Sequence, residues 1–350
     1  MLLVVLGAGS GGCSDRHESA TEISGDTIIV RGDPVCPACE IVLEPIASLG
    51  HDDDPVSPWE GAWMTRTSDG RFFLTAGHGV AGILEYASTG RLRAVHGRDG
   101  EGPGEYRNPM FLATIAGDTI VVYDAGLRRF SLLDSEGEFA GFFTAPFSVS
   151  GFAPDLDGTI LASGIAGTTN PGEQGLPVHR IDRSGNIIES IGDSLGPVRP
   201  GGQVSSWRSI SVSPEGVTVI AKTLTYELTV RFPDGRTSII VRDVPWFPEE
   251  EREPSSYFPF LQKTWIDSSG RLWVTTRSYF ENEPSPGDRD PDSPGSILEV
   301  FDLSSGNLLA SRRFDFPVVL HDGLAYAPGA TPSGGTTLRV FRPVFVGPTP

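Results

Sequence analysis

Three cysteines in 350 residues, Cys13, Cys36 and Cys39, are too few to staple a fold together. Helical periodicity is missing as well: no window of a dozen residues carries a 3.6-residue apolar stripe, which argues against a helical core. Positive charge is scarce. Against 45 aspartates and glutamates stand 27 lysines and arginines, for a net charge of −18 and a pI near 4.7. A surface of that sign repels nucleic acid and anionic headgroups, so neither is expected as a partner. Common catalytic signatures are absent too. There is no Gly-x-Ser-x-Gly elbow, no His-Glu-x-x-His, no convincing Ser–His–Asp spacing and no second Cys-x-x-Cys to complete a zinc site.

Glycine and proline are abundant, at 43 and 29 residues, beside an apolar content too high for disorder. That mixture suits many short strands joined by tight turns. The turns recur. Gly70, Gly117, Gly158, Gly216, Gly270 and Gly323 each open a β-rich run, at intervals of 47, 41, 58, 54 and 53 residues. A second series, Gly90, Gly137, Gly185, Gly235 and Gly306, separates two further apolar runs within each unit. Four strands per unit with glycine-bearing hairpins predict an all-β, six-bladed β-propeller of four-stranded antiparallel blades.

The sixth unit is one strand short, while Glu40-Ile-Val-Leu-Glu-Pro-Ile-Ala-Ser-Leu-Gly50 reads as a strand with no blade of its own. The ring is therefore expected to close with this N-terminal strand as the outer strand of the last blade, which satisfies an otherwise open edge. The expected organisation is an N-terminal export segment over 1–13, a polar tether over 14–35 and a propeller over 36–346. Blades are placed near 58–97, 109–145, 148–193, 204–243, 260–315 and 316–346, with the closing strand at 40–50. Residues 26–30 read as one more edge strand without an assigned position. Insertions at 164–176 and 279–295, and the acidic run 248–254, are expected on the face that carries the connectors between blades.

Two resemblances follow from quoted residues. Met-Leu-Leu-Val-Val-Leu-Gly-Ala-Gly-Ser-Gly-Gly-Cys13 is an apolar run too short to span a bilayer, followed by small residues and a cysteine. It resembles a bacterial lipoprotein lipobox, which implies export, lipid on Cys13 and residence in the cell envelope; without the anchor the protein is secreted. In that compartment Cys36 and Cys39 are expected to form a disulfide closing a small structural loop. The stretch Arg-Asp-Gly-Glu-Gly-Pro-Gly-Glu-Tyr-Arg-Asn-Pro109, with Asp-Thr-Ile-Val-Val-Tyr-Asp-Ala-Gly-Leu-Arg-Arg-Phe-Ser131 after it, resembles bacterial six-bladed β-propeller proteins related to NHL-repeat propellers. The likeness covers about residues 36–345 and implies fold and compartment far more than activity.

The glycine cluster at 97–104 invites a phosphate-loop reading, but its spacing fits neither the dinucleotide fingerprint nor a P-loop. Glu101 and Glu105 would repel phosphate, and strand rather than helix follows. It reads as the connector from the first blade to the second. Candidate ligand-face residues on such connectors are Trp59, Arg98, Glu101, Glu105, Tyr106, Arg107, Arg208, Trp246 and Tyr257. Trp207 and Trp265 are expected to pack between blades. His51, His78 and His96 are the candidate metal ligands, yet all three belong to the first blade and its approach, so they read as surface histidines. Asp288, Asp290 and Asp292 lack the glycine and glutamate of a calcium loop. No cofactor is expected, the one considered being a divalent ion. The functional expectation is a monomeric, lipid-anchored binding or scaffold module for a protein, peptide or glycan. The alternative is a metal-dependent propeller lyase or hydrolase of the lactonase or streptogramin-lyase kind. A channel ringed by His, Asp and Glu from three blades would favour the enzyme; apolar, aromatic and Arg lining would favour the binder.

Overall fold

The computed structural model describes residues 20–59, 61–76, 80–166, 175–193, 207–247, 259–278 and 295–348. Six sheets form the ring. Blade one comprises Met64–Arg66, Phe72–Thr75, Ile83–Tyr86 and Leu92–His96. Blade two comprises Pro109–Ile115, Thr119–Asp124, Arg129–Leu133 and Phe139–Thr144. Blade three is built from Gly151–Pro154, Ile160–Ser163, Val178–Ile181 and Ile187–Ile191. Blade four starts with Arg208–Val212, Thr218–Lys222, Glu227–Arg231 and Thr237–Asp243. Blade five has Phe260–Ile266, Arg271–Ser278, Gly295–Asp302 and Leu308–Phe314. Blade six has Val319–His321, Leu324–Ala330 and Thr336–Val346, and its outer strand is Glu40–Leu49 from the start of the chain. That strand runs antiparallel to Thr336–Val346, from Leu49 opposite Leu338 to Glu40 opposite Val346. The ring is closed as the strand count required.

Every turn glycine of the two repeating series lies at positive φ, between 71° and 91°. At Gly90 the reason is twofold: φ is +87°, and a Cβ would overlap the Ser48 carbonyl oxygen on the closing strand. Acidic side chains complete several turns. Asp267 Oδ1, for example, accepts the backbone N–H groups of Ser269 and Arg271, while the Gly270 N–H donates to the Asp267 carbonyl.

The core is distributed between blades, with one apolar layer per interface. Phe73, Ile83 and Tyr106 meet Leu112, Ile120 and Leu133 between blades one and two. Leu49, Met64, Leu74, Tyr326 and Leu338 seal blade six against blade one. Each fully buried Leu or Phe contributes about 1.5–3 kcal/mol relative to exposure, so closing the ring gives the first and last blades the same burial as the others. Polar ties cross the same interfaces. The Tyr326 hydroxyl donates to the Ala62 carbonyl at 2.6 Å. Arg242 and the Tyr226 hydroxyl both donate to the buried Glu299 carboxylate, at 3.1 and 2.6 Å, joining blade four to blade five.

One expectation is corrected. The tether does not extend to residue 35: the edge strand expected near 26–30 is Thr27–Arg31, which pairs in parallel with Thr237–Asp243, and Ala20–Ser24 folds back antiparallel on it, widening blade four to six strands. Val30 is buried in the layer between blades four and five. The chain then crosses blade five, where the Val35 N–H donates to the Leu308 carbonyl, before entering blade six. Cys36 and Cys39 are joined by a disulfide on this crossing. Cys13 lies outside the described residues.

Candidate functional site

The innermost strands surround an axial channel. Its mouth on the face of the interblade connectors is a cavity of about 460 Å³ lined by Trp63, Phe111, Trp207, Arg208, Phe260 and Lys263, among others. Towards the opposite face lies a second cavity of about 590 Å³, walled by Phe152, Ile210, Val212, Trp265, His321 and Asp322 with neighbouring inner-strand residues. Lys263 borders both and marks the waist where they meet.

Five blades supply the waist. Lys263, on the inner strand of blade five, holds Nζ 4.1 Å from the Trp63 ring centroid of blade one. The same indole meets Phe111 of blade two edge-on at 4.6 Å and the His321 ring of blade six at 5.1 Å. The Thr65 hydroxyl donates to Asp322 Oδ2 at 2.9 Å and lies 2.8 Å from the Thr114 hydroxyl. On the far side, Ser209 and Ser211 of blade four hydrogen-bond Thr264 at 3.2 and 3.1 Å. Blade six reaches the axis through its own kind of turn. His321 pairs directly with Leu324, so only Asp322 and Gly323 form the loop, with φ of 50° and 75°. Positive φ at both positions is the two-residue hairpin that Asp-Gly favours.

Burial governs the charges at this waist. It pulls the Lys263 amine down to about 7, against the weaker opposing pull of Asp322. Burial holds His321 well below its usual value, and the nearby lysine pushes the same way. Asp322 is raised by burial, countered by the Thr65 hydrogen bond and by Lys263. Desolvation thus biases all three groups toward their neutral forms. The His321 Nδ1 is buried without a hydrogen-bond partner.

The predicted residues are distributed elsewhere. The connector at 97–109 is held by its own ion pairs and by Arg129 of blade two. Arg98–Asp99 and Glu105–Tyr106 pair as a short parallel ribbon, and Arg129 donates to the carbonyls of Glu101, Gly102 and Glu105. Arg98 pairs with Glu105 at 2.8 Å and Arg107 with Glu101 at 2.7 Å, so these charges serve the loop itself. The Gly102 N–H and then Arg98 hold the Glu105 carboxyl below its usual range. Tyr106 is corrected from ligand face to core: it is fully buried between blades one and two, against Gly97. Trp246 is half-buried against Tyr226 and Phe247. Trp59 lies over Gly61 and is partly exposed. Of the predicted set, Arg208 reaches the mouth, donating to the Trp207 carbonyl at 2.8 Å.

Trp207 also departs from expectation. It is 57% exposed at the mouth instead of packed between blades. Trp265 does pack, at 5.8 Å from Trp273 and against Gly323 of blade six. His96 is structural: its Nε2 is hydrogen-bonded to Glu85 Oε2 at 2.7 Å and its ring stacks on Phe73. His51 lies in a separate cavity at the rim of blade six, beside Asp52 and Thr331. Among the described residues no three His, Cys, Asp or Glu side chains are grouped to hold a metal. His78, Tyr257, the three aspartates at 288, 290 and 292, both long insertions apart from their terminal residues, and the acidic run fall outside the described residues.

Sequence reasoning missed the waist. His321 reads locally as a turn residue, and Lys263 belongs to no motif. One signal was available: of 27 lysines and arginines, only Lys222 and Lys263 are lysine. The placement of one of them on the axis is a property of the closed ring.

The architecture defines the class: the chain is a six-bladed β-propeller with an axial channel. A member of the DUF4221 family from Bacteroides vulgatus is similar at 11% identity and a TM-score of 0.60, over 89% of this chain and 99% of that one. A Bacteroides fragilis protein classed as exported is similar at 11% identity and a TM-score of 0.58, over 90% and 98%. Virginiamycin B lyase from Staphylococcus aureus superposes at 12% identity with a TM-score of 0.47, over 86% and 99%. No family model and no curated protein matches the chain by sequence.

Proposed function

We propose that this propeller is an extracytoplasmic binding module that takes a peptide segment of a partner protein at the channel mouth. One observation carries the reading: Trp207 stands exposed beside Trp63, Phe111 and Phe260 around a concave opening on the connector face. An exposed indole costs solvation unless something covers it, and aromatic anchors around a desolvated pocket are where binding energy concentrates. The lining matches the apolar and aromatic alternative set out from the sequence, and it supports binding over metal-dependent lysis. Export is supported by the Cys36–Cys39 disulfide, which persists in oxidising compartments, and by the exported class of the Bacteroides fragilis relative. Lipid on Cys13 would hold the module at the envelope.

The test is a peptide array probed with the purified chain, followed by tryptophan fluorescence titration of the best sequences. Trp207→Ala should weaken binding at least about tenfold, as loss of a hot-spot aromatic does. Selection of glycans with no peptide bound, or affinity indifferent to Trp207, would refute the reading. Anchoring is tested separately: an alkyne fatty acid should label the wild type and not Cys13→Ser.

A further inference from the structure

We propose that Lys263 is a reactive amine that captures a small apolar aldehyde as an imine at the waist of the channel. The geometry meets the requirements for such a nucleophile. The side chain opens onto two cavities of about 460 and 590 Å³, so a small molecule has room on either side. Among the described residues no carboxylate lies within salt-bridge distance of Nζ, whereas the other lysine, Lys222, pairs with Glu227 at 2.8 Å. The use of lysine here has chemical content, since a guanidinium stays protonated and does not add to carbonyls. A desolvated lysine is a recognised route to Schiff-base chemistry.

The surroundings choose the ligand class. Phe152, Ile210, Val212 and Trp265 make the inner cavity largely apolar. A carboxylate or phosphate would meet Asp322 and an amine biased against carrying charge, so a neutral carbonyl compound fits better. Asp322 and His321 of blade six are the titratable groups that interact with the amine through charge, while Arg208 of blade four lines the mouth and Asp155 of blade three, paired with Arg180, lines the inner cavity. Blades one, two and four present Trp63, Thr65, Thr114, Ser209 and Ser211 around it.

The step balances without an oxidant or reductant. Nζ adds through its lone pair to the carbonyl carbon, and the carbonyl oxygen becomes a hydroxyl. Asp322 or His321 relays a proton to that hydroxyl, which departs as water carrying both hydrogens lost from Nζ. A carbon–nitrogen double bond remains. This reaction goes beyond the peptide reading and does not depend on it.

The test treats the purified full chain with benzaldehyde and cyanoborohydride, which reduces any imine to a stable benzylamine, and maps the adduct by peptide mass. An amine at about 7 holds on the order of 10³-fold more free base at neutral pH than one at 10.5. Labelling at Lys263 should therefore outrun labelling at Lys222 at least about tenfold, allowing for restricted access. Its rate should level off above about pH 7 and fall below it. Lys263→Met should abolish the adduct, and Lys222→Arg should leave it intact. Equal rates at both lysines, an adduct only at Lys222 or the N-terminus, or a Lys263 rate still climbing toward pH 10 would overturn the proposal. The wild-type pH profile decides the matter even if Lys263→Met fails to fold. Peptide binding dependent on Trp207 would survive that failure.

Discussion

Replacing Lys263 by methionine should stabilise the protein at neutral pH, an unusual outcome for a buried position. The amine titrates near 7 in the folded protein against an ordinary 10.5. Between those values the unfolded chain binds a proton that the folded chain does not, so stability rises with pH across this window. At and below pH 7 the full cost is present, because the unfolded state gains a solvated cation that the folded state accommodates poorly. Above 10.5 both states are neutral and the cost is gone. At about 1.4 kcal/mol per pH unit the ceiling is about 5 kcal/mol. Methionine keeps the unbranched length but sacrifices part of the contact with Trp63, so a net gain of about 2–3 kcal/mol is expected. For a chain of this size that corresponds to several degrees in Tm. Urea unfolding of wild type and Lys263→Met at about pH 7 and pH 10 measures it. A variant less stable than wild type at pH 7, or a gain of equal size at both pH values, would refute the reasoning. A residue retained at such a cost is a candidate for function over stability.

Other expectations follow from single contacts. Tyr326→Phe removes the hydroxyl that ties blade six to the Ala62 carbonyl and should cost about 1–2 kcal/mol in urea unfolding. Gly90→Ala meets both a positive φ and the Ser48 carbonyl, so it should lose more stability, about 2–3 kcal/mol or above. Gly235→Ala, at the same φ of +87° but with open space around it, should lose only about 1 kcal/mol. Glu299→Gln strips the counter-charge from the buried Arg242 and should cost about 3–5 kcal/mol by the same measurement. Trp207→Ala, which impairs binding in the proposed function, should change stability by less than about 0.5 kcal/mol because the indole is largely solvated.

The legible parts of the fold were those with a local cause. Gly70 and Gly306 announce their turns because no other residue enters positive φ so cheaply, and the structure places both there. The closing strand at Glu40–Leu49 was inferable from a strand deficit, which is simple counting over the chain. Thr27–Arg31 was not placeable, because parallel pairing with Thr237–Asp243 joins segments some two hundred residues apart and leaves no local mark. Tyr106 misled for a related reason. It sits in a polar, glycine-rich stretch, yet the ribbon beside it turns the ring into the layer between the first two blades.

The sequence by itself determined the repeating four-stranded unit, its turns and the closure of the ring, since these follow from backbone sterics at glycine and from the recurrence of short apolar runs between the turns. Tertiary structure alone decided what stands on the axis. Lys263, Trp63, His321 and Asp322 come from three blades separated by long stretches of chain, and only the circular arrangement brings them to one waist. Their altered ionisation arises from desolvation, a property of the enclosure that no individual segment carries.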